Sequence, residues 1–258
     1  LFEDKQFLSE DLSRWDVSNV VEMQGMFDNA RSFNGDISRW DVSKVEKMSA
    51  MFHNATSFNG DISRWDVSKV TLMVGMFAGA TNFNGDLSRW DVSKVTSFNA
   101  MFLYATAFNG NIDTWSVGNA TDTQEMFYMA TAFSGNLFDW NVGRVVSMRA
   151  MFLGAVSFNG DLSQWDVSSV KDTENMFENA KSFNGDLSDW DVSNVKNMRR
   201  MFYGCESFNG NLSSWNASSV MTVRQMFSLT AVDASTVVLW KMPLAADHAS
   251  LFEGGDYF

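Results

Sequence analysis

A chain of 258 residues that is 45% hydrophobic and 14% aromatic can bury an apolar interior, so it is no disordered polymer despite its many Asn, Ser and Gly residues. A net charge of -12 argues against a nucleic-acid partner, which needs clustered Lys and Arg, and against docking on an anionic membrane. Without an apolar run of about 18 residues, no direct membrane insertion is expected, and one cysteine, Cys205, rules out an internal disulfide framework.

The chain opens on Leu1-Phe2, in phase with later Met-Phe pairs such as Met26-Phe27, which reads as a start inside a repeat of a longer product. Trp15, Trp40, Trp65, Trp90, Trp115, Trp140, Trp165, Trp190, Trp215 and Trp240 then recur every 25 residues. Met-Phe pairs keep step with them from Met26-Phe27 to Met226-Phe227, without insertion or deletion. One unit, Phe33 to Ser57, reads F-N-G-D-I-S-R-W-D-V-S-K-V-E-K-M-S-A-M-F-H-N-A-T-S. A fixed period of this size marks a stack of structural repeats in which each coil buries its apolar face against the next.

Within the unit, Ile37, Trp40 and Val42 follow an L-x-x-L-x-L spacing, with Trp40 and Val42 alternating inward on a short strand. Ser43 can then cap a short helix whose apolar stripe is Val45, Met48, Phe52 and Ala55, and Glu46 completes a capping box. Asn59-Gly60 offers a turn in which glycine takes positive φ and returns the chain to the strand. The expected fold is therefore an α/β repeat solenoid, leucine-rich-repeat-like and right-handed, with one short strand and one short helix per coil. Coils stacked through strands rise about 4.8 Å each, so about ten of them give a body of about 50 Å. Residues 1–230 make the solenoid of about nine repeats; residues 231–258, which hold the single proline Pro243 and keep the phase only at Trp240, Phe252 and Phe258, read as a degenerate C-terminal cap.

The copies F-N-G-D-I-S-R-W-D-V-S-K-V and M-F-x-x-A-x-x-F resemble the BspA-like leucine-rich-repeat surface proteins over about residues 1–230, and Cys205 in the alanine column resembles the A-F-x-x-C segment of related repeats. The resemblance implies a cell-surface or extracellular setting and adhesion-type recognition of protein or glycan. It transfers no catalytic residue and no particular ligand. The competing expectation is a structural subunit inside a larger intracellular or organellar assembly.

The side chains offer little chemistry. His53 and His248 occupy non-equivalent positions, no Cys/His cluster has metal-ligand spacing, and the serines of residues 1–230 belong to the repeat. No catalytic residue, cofactor or metal is expected. The Asp16, Asp41, Asp66, Asp91 file and the Asp36, Asp61, Asp86 file suggest calcium, but Arg14, Arg39, Arg64 and Arg89 flank them, Asp can bond nearby amides, and the files drift to Ser116, Asn141, Asn111 and Asn136. Thr56, Thr81, Thr106 and Thr131 form a single file, too narrow for an ordered threonine array, and sequons begin at Asn54, Asn119, Asn211 and Asn216. The partner-binding candidate comes from the two positions after each Met-Phe. They read Asp28-Asn29, His53-Asn54 and Ala78-Gly79, then Leu103-Tyr104, Tyr128-Met129 and Leu153-Gly154, and Val156 adds to the region. Leu103, Tyr104, Tyr128, Met129, Leu153 and Val156 are thus expected to form one exposed apolar patch facing a protein partner.

Overall fold

The computed structural model describes residues 2–5, 11–237, 240, 242–243 and 251–252; the expectations for Leu1, Phe258 and most of the cap lie outside them. The described chain is a stack of 25-residue coils in register. Coil touches coil through one parallel β-bridge position, from Glu22↔Lys47 and Lys47↔Leu72 on to Asn197↔Thr222. The only helical element among the described residues is η1, a short 3-10 turn at Ala234–Val237.

The α/β solenoid of one strand and one helix per coil is therefore not what forms. The stretch from Val45 to Ala55 is a run of tight turns: Met51 N donates to Met48 O, His53 N to Ala50 O and Ala55 N to Phe52 O. Between these, the amides of Met48, Ala50, Phe52 and Asn54 leave the coil and donate to Leu72, Val74, Met76 and Ala78 of the next one. Two residues per coil take left-handed φ, as Gly25 and Asn29 or Ala50 and Asn54 do, which a helix does not allow. Neighbouring coils hold Phe27 and Phe52 with ring centroids 5.4 Å apart, and Phe52 and Phe77 5.6 Å apart. Packed helices need about 8–10 Å between axes, so a helix in every coil would not fit this spacing.

The Trp-x-Val segment is likewise no strand. Trp40 N closes a turn on Ile37 O and Val45 N one on Val42 O, so only the indole reaches across, donating from Nε1 to Leu12 O at 2.9 Å. The bond recurs 28 residues back at every indole from Trp40 to Trp240. Ser43 caps no helix; its amide donates to Asp41 Oδ1 at 3.1 Å. Left-handed glycines occur at Gly25, Gly75, Gly79, Gly154 and Gly204, not at Gly60. A side chain at Gly60 would instead press on the Phe58 ring, 3.0 Å away.

The core is aromatic and ordered in files. Phe52 stacks on Phe58 within its coil at 3.9 Å, and both rings stack on their equivalents above and below. At the C-terminal end, Trp240 lies on Trp215 and Phe252 on Phe227, while Phe227 N donates to Leu251 O, so these described residues continue the files.

The acidic files are turn residues. Asp36 Oδ1 accepts from Ser38 N and Asp41 Oδ1 from Ser43 N, and Asn136 and Asn141 do the same for Phe138 N and Gly143 N. The requirement is an acceptor oxygen two residues before the amide, which explains why Asp and Asn interchange. Thr81, Thr106 and Thr131 each donate a hydroxyl to the threonine carbonyl one coil back, so that file stitches coils together.

Candidate functional site

Of the two positions after each Met-Phe, at least one reaches the surface in every described coil, while Ala78, Glu178 and Ser228 are buried. The second of the two positions is left-handed in every coil: Asn29, Asn54, Gly79, Tyr104, Met129, Gly154, Asn179, Gly204 and Leu229 have φ between 54° and 71°. Asn and Gly tolerate that conformation; Tyr and Met do so at a cost of about 1 kcal/mol each. Tyr104 and Met129 therefore sit where the backbone would favour the residues that other coils supply.

Tyr104 is 45% exposed, whereas Leu103, Tyr128, Met129, Leu153 and Val156 are half-buried. The Tyr104 and Tyr128 rings meet at 5.3 Å, tilted by 59°. Burial, and then a hydrogen bond with Tyr104, push the Tyr128 hydroxyl above its ordinary range. Met129 lies over Gly154, where an added side chain would collide with its Sδ. Leu103 and Leu153 stand one coil either side of Tyr128, in a register fixed by Tyr104 N donating to Tyr128 O and Met129 N to Leu153 O. Val156 follows Gly154 in the threonine file and lacks the hydroxyl that stitches the coils before it.

This apolar centre has polar borders that the sequence did not single out. On one side His53 Nδ1 meets Asp28 Oδ1 at 2.7 Å. On the other, Arg199 Nη1 meets Glu174 Oε1 at 3.0 Å, Arg200 Nη2 meets Glu178 Oε1 at 2.9 Å, and the Arg200 guanidinium lies 4.0 Å above the Tyr203 ring. Burial raises the Glu178 carboxyl despite the opposing pull of Arg200, and its Oε2 is buried without a partner. Reading the column that holds Glu174 and Arg199 together with Arg200 in the next column and Glu178 four positions on would have found this network.

A second departure lies around Trp115 and Trp140, on the segments that lead to Tyr128 and Leu153. Ser gives way to Asp113 and Phe138, Arg to Thr114 and Asp139, and Ser to Gly118 and Gly143. Among the described residues no three His, Cys, Asp or Glu side chains gather as a metal site, and no helix is long and apolar enough to cross a membrane. Cys205 is buried, its Sγ against Phe177 O, and burial drives its thiol far above the usual range, so it is a core residue.

A family model described as "Mycoplasma protein of unknown function, DUF285" matches the chain in four overlapping stretches, residues 1–70, 36–139, 60–165 and 133–240. No curated protein matches it significantly.

Proposed function

Since the chain belongs to the DUF285 family and carries its repeat in tandem, we propose that it is a non-enzymatic binding module that docks a protein partner on the patch centred on Tyr104, Tyr128 and Met129. The observation carrying this reading is the retention of Tyr104 and Met129 at φ 55°, where Asn or Gly would be less strained. Strain kept at the exposed Tyr104 and the half-buried Met129 supports a use for those side chains. An apolar, aromatic centre with a polar rim is also the anatomy of a protein interface. The resemblance to BspA-like surface proteins adds the cell surface or the extracellular space as the setting.

The test is a double replacement, Tyr104→Asn with Tyr128→Asn, followed by melting temperature and by affinity for a partner captured by the unaltered chain. Asn fits the backbone at position 104, so the melting temperature should hold or rise. Partner affinity should fall by about 2 kcal/mol or more if either tyrosine anchors the interface. A collapse in stability would make the pair core residues, and unchanged affinity would dismiss the patch.

A further inference from the structure

The Trp face carries an independent site that does not rest on the tyrosine patch. In most coils the polar groups of this face are mutually satisfied: Asp86 accepts from Ser88 N at 2.9 Å and Asp91 from Ser93 N at 3.0 Å. The Trp115 coil breaks that pattern. Ser116 accepts no bond from the amide of residue 118 like the one Asp91 takes from Ser93, and Gly118 has no hydroxyl to fill the gap. What opens is a recess of about 360 Å³ lined by Asp113, Ser116, Gly118, Asp139 and Asn141, with Trp115 and Val117 behind. Asp113, which lines it, has one carboxylate oxygen, Oδ1, shielded from solvent and without a hydrogen-bond partner.

Volume alone does not single it out. A recess of about 390 Å³ lies between the Trp165 and Trp190 coils, but there each Asp and Asn acceptor group already takes a backbone amide, Asp161 that of Ser163 at 2.9 Å and Asn159 that of Asn184 at 2.8 Å. The first recess instead combines unused groups of both kinds. Asp113 and Asp139 are acceptors, and the arginine of the repeat is replaced at both Thr114 and Asp139, so no basic side chain lines the recess. Asn141 spends its Oδ1 on Gly143 N at 3.2 Å, which leaves its amide N–H groups as donors.

We propose that this recess binds a neutral saccharide: Asp113 and Asp139 accept from ring hydroxyls, and Asn141 donates to one. A hydroxyl both donates and accepts, so a sugar satisfies carboxylates and amide together. An ammonium group would satisfy only the carboxylates, leaving the Asn141 donors unmet.

Saturation-transfer NMR with D-mannose, D-galactose and N-acetyl-D-glucosamine, each with the full chain, tests this. The comparison is Asp113→Ser with Asp139→Arg, which restores the residues that other coils carry at those positions and so keeps the fold, as a melting curve checks. At least one sugar should receive saturation from the unaltered chain, and its affinity should drop about tenfold or more in the variant. Tyr104→Asn with Tyr128→Asn should leave sugar binding unchanged, which separates this site from the tyrosine patch. Transfer to none of the three sugars would overturn the proposal. So would binding that survives the double reversion, or methylammonium displacing the sugar.

Discussion

At the scale of single residues, the repeat is held by short polar side chains that answer the backbone. The Asp41 carboxyl sits below its ordinary range because the hydroxyl and amide of Ser43 donate to it, with Lys44 a smaller influence; the amide and hydroxyl of Ser38 do the same for Asp36, ahead of Arg39. The arginine file is thus the lesser partner of the acidic files. A carboxyl whose folded pKa lies below its unfolded value adds stability above the unfolded pKa and loses it as pH falls through the folded one. The melting temperature should therefore stay level from neutral pH down to about pH 5 and fall below about pH 4. Asp41→Asn should keep the turn, as Asn141 does, while shedding that coil's share of the acid sensitivity. A thermal series in pH for both chains measures it.

At the scale of the element, the period and the inward columns were legible in the sequence, and the path of the backbone between them was not. Val45, Met48, Phe52 and Ala55 are all buried, as a helical stripe would be, but so is Met51. A run of turns with left-handed residues at Ala50 and Asn54 places side chains inward at the same intervals of three and four. The telling signal was the Gly25, Gly75 and Asn29, Asn54, Gly79 pattern at the left-handed positions. The tyrosine patch was legible because its columns change to apolar residues. The recess was not, because Ser116 and Asn141 read as drift in an acidic file, and its meaning depends on Gly118 lying beside Asn141 one coil on. Close stacking of such coils also sets a steric limit. A side chain at Gly110 would meet the Gly85 carbonyl oxygen, a backbone atom with no room to withdraw. Gly110→Ala should cost about 1–3 kcal/mol, read from chemical denaturation.

At the scale of the whole molecule, each coil touches only its neighbours, so stability is close to a sum of coils and the joints between them. Removing residues 59–83, one full 25-residue period, should leave a folded, shorter stack. Removing one residue fewer should not, because the Trp and Phe files and the bonds to the carbonyls 28 residues back would all fall out of step at that joint. Circular dichroism and cooperative melting of the two deletions decide it; equal folding of both would contradict nearest-neighbour register.

The tryptophan file has an optical consequence. From Trp40 to Trp90 and again from Trp115 to Trp240, each indole lies within 6.5 Å of the next and within 17° of its plane. The repeated Nε1 bond to an equivalent carbonyl also fixes each ring's rotation within that plane. Between the two runs, the Phe98 ring lies against Trp115 at 5.7 Å. The indoles are therefore chromophores related by near-pure translation, with parallel transition dipoles. Excitation absorbed by one can migrate along its run while the emitted light keeps the polarisation of the light absorbed, so the column moves energy without losing its direction.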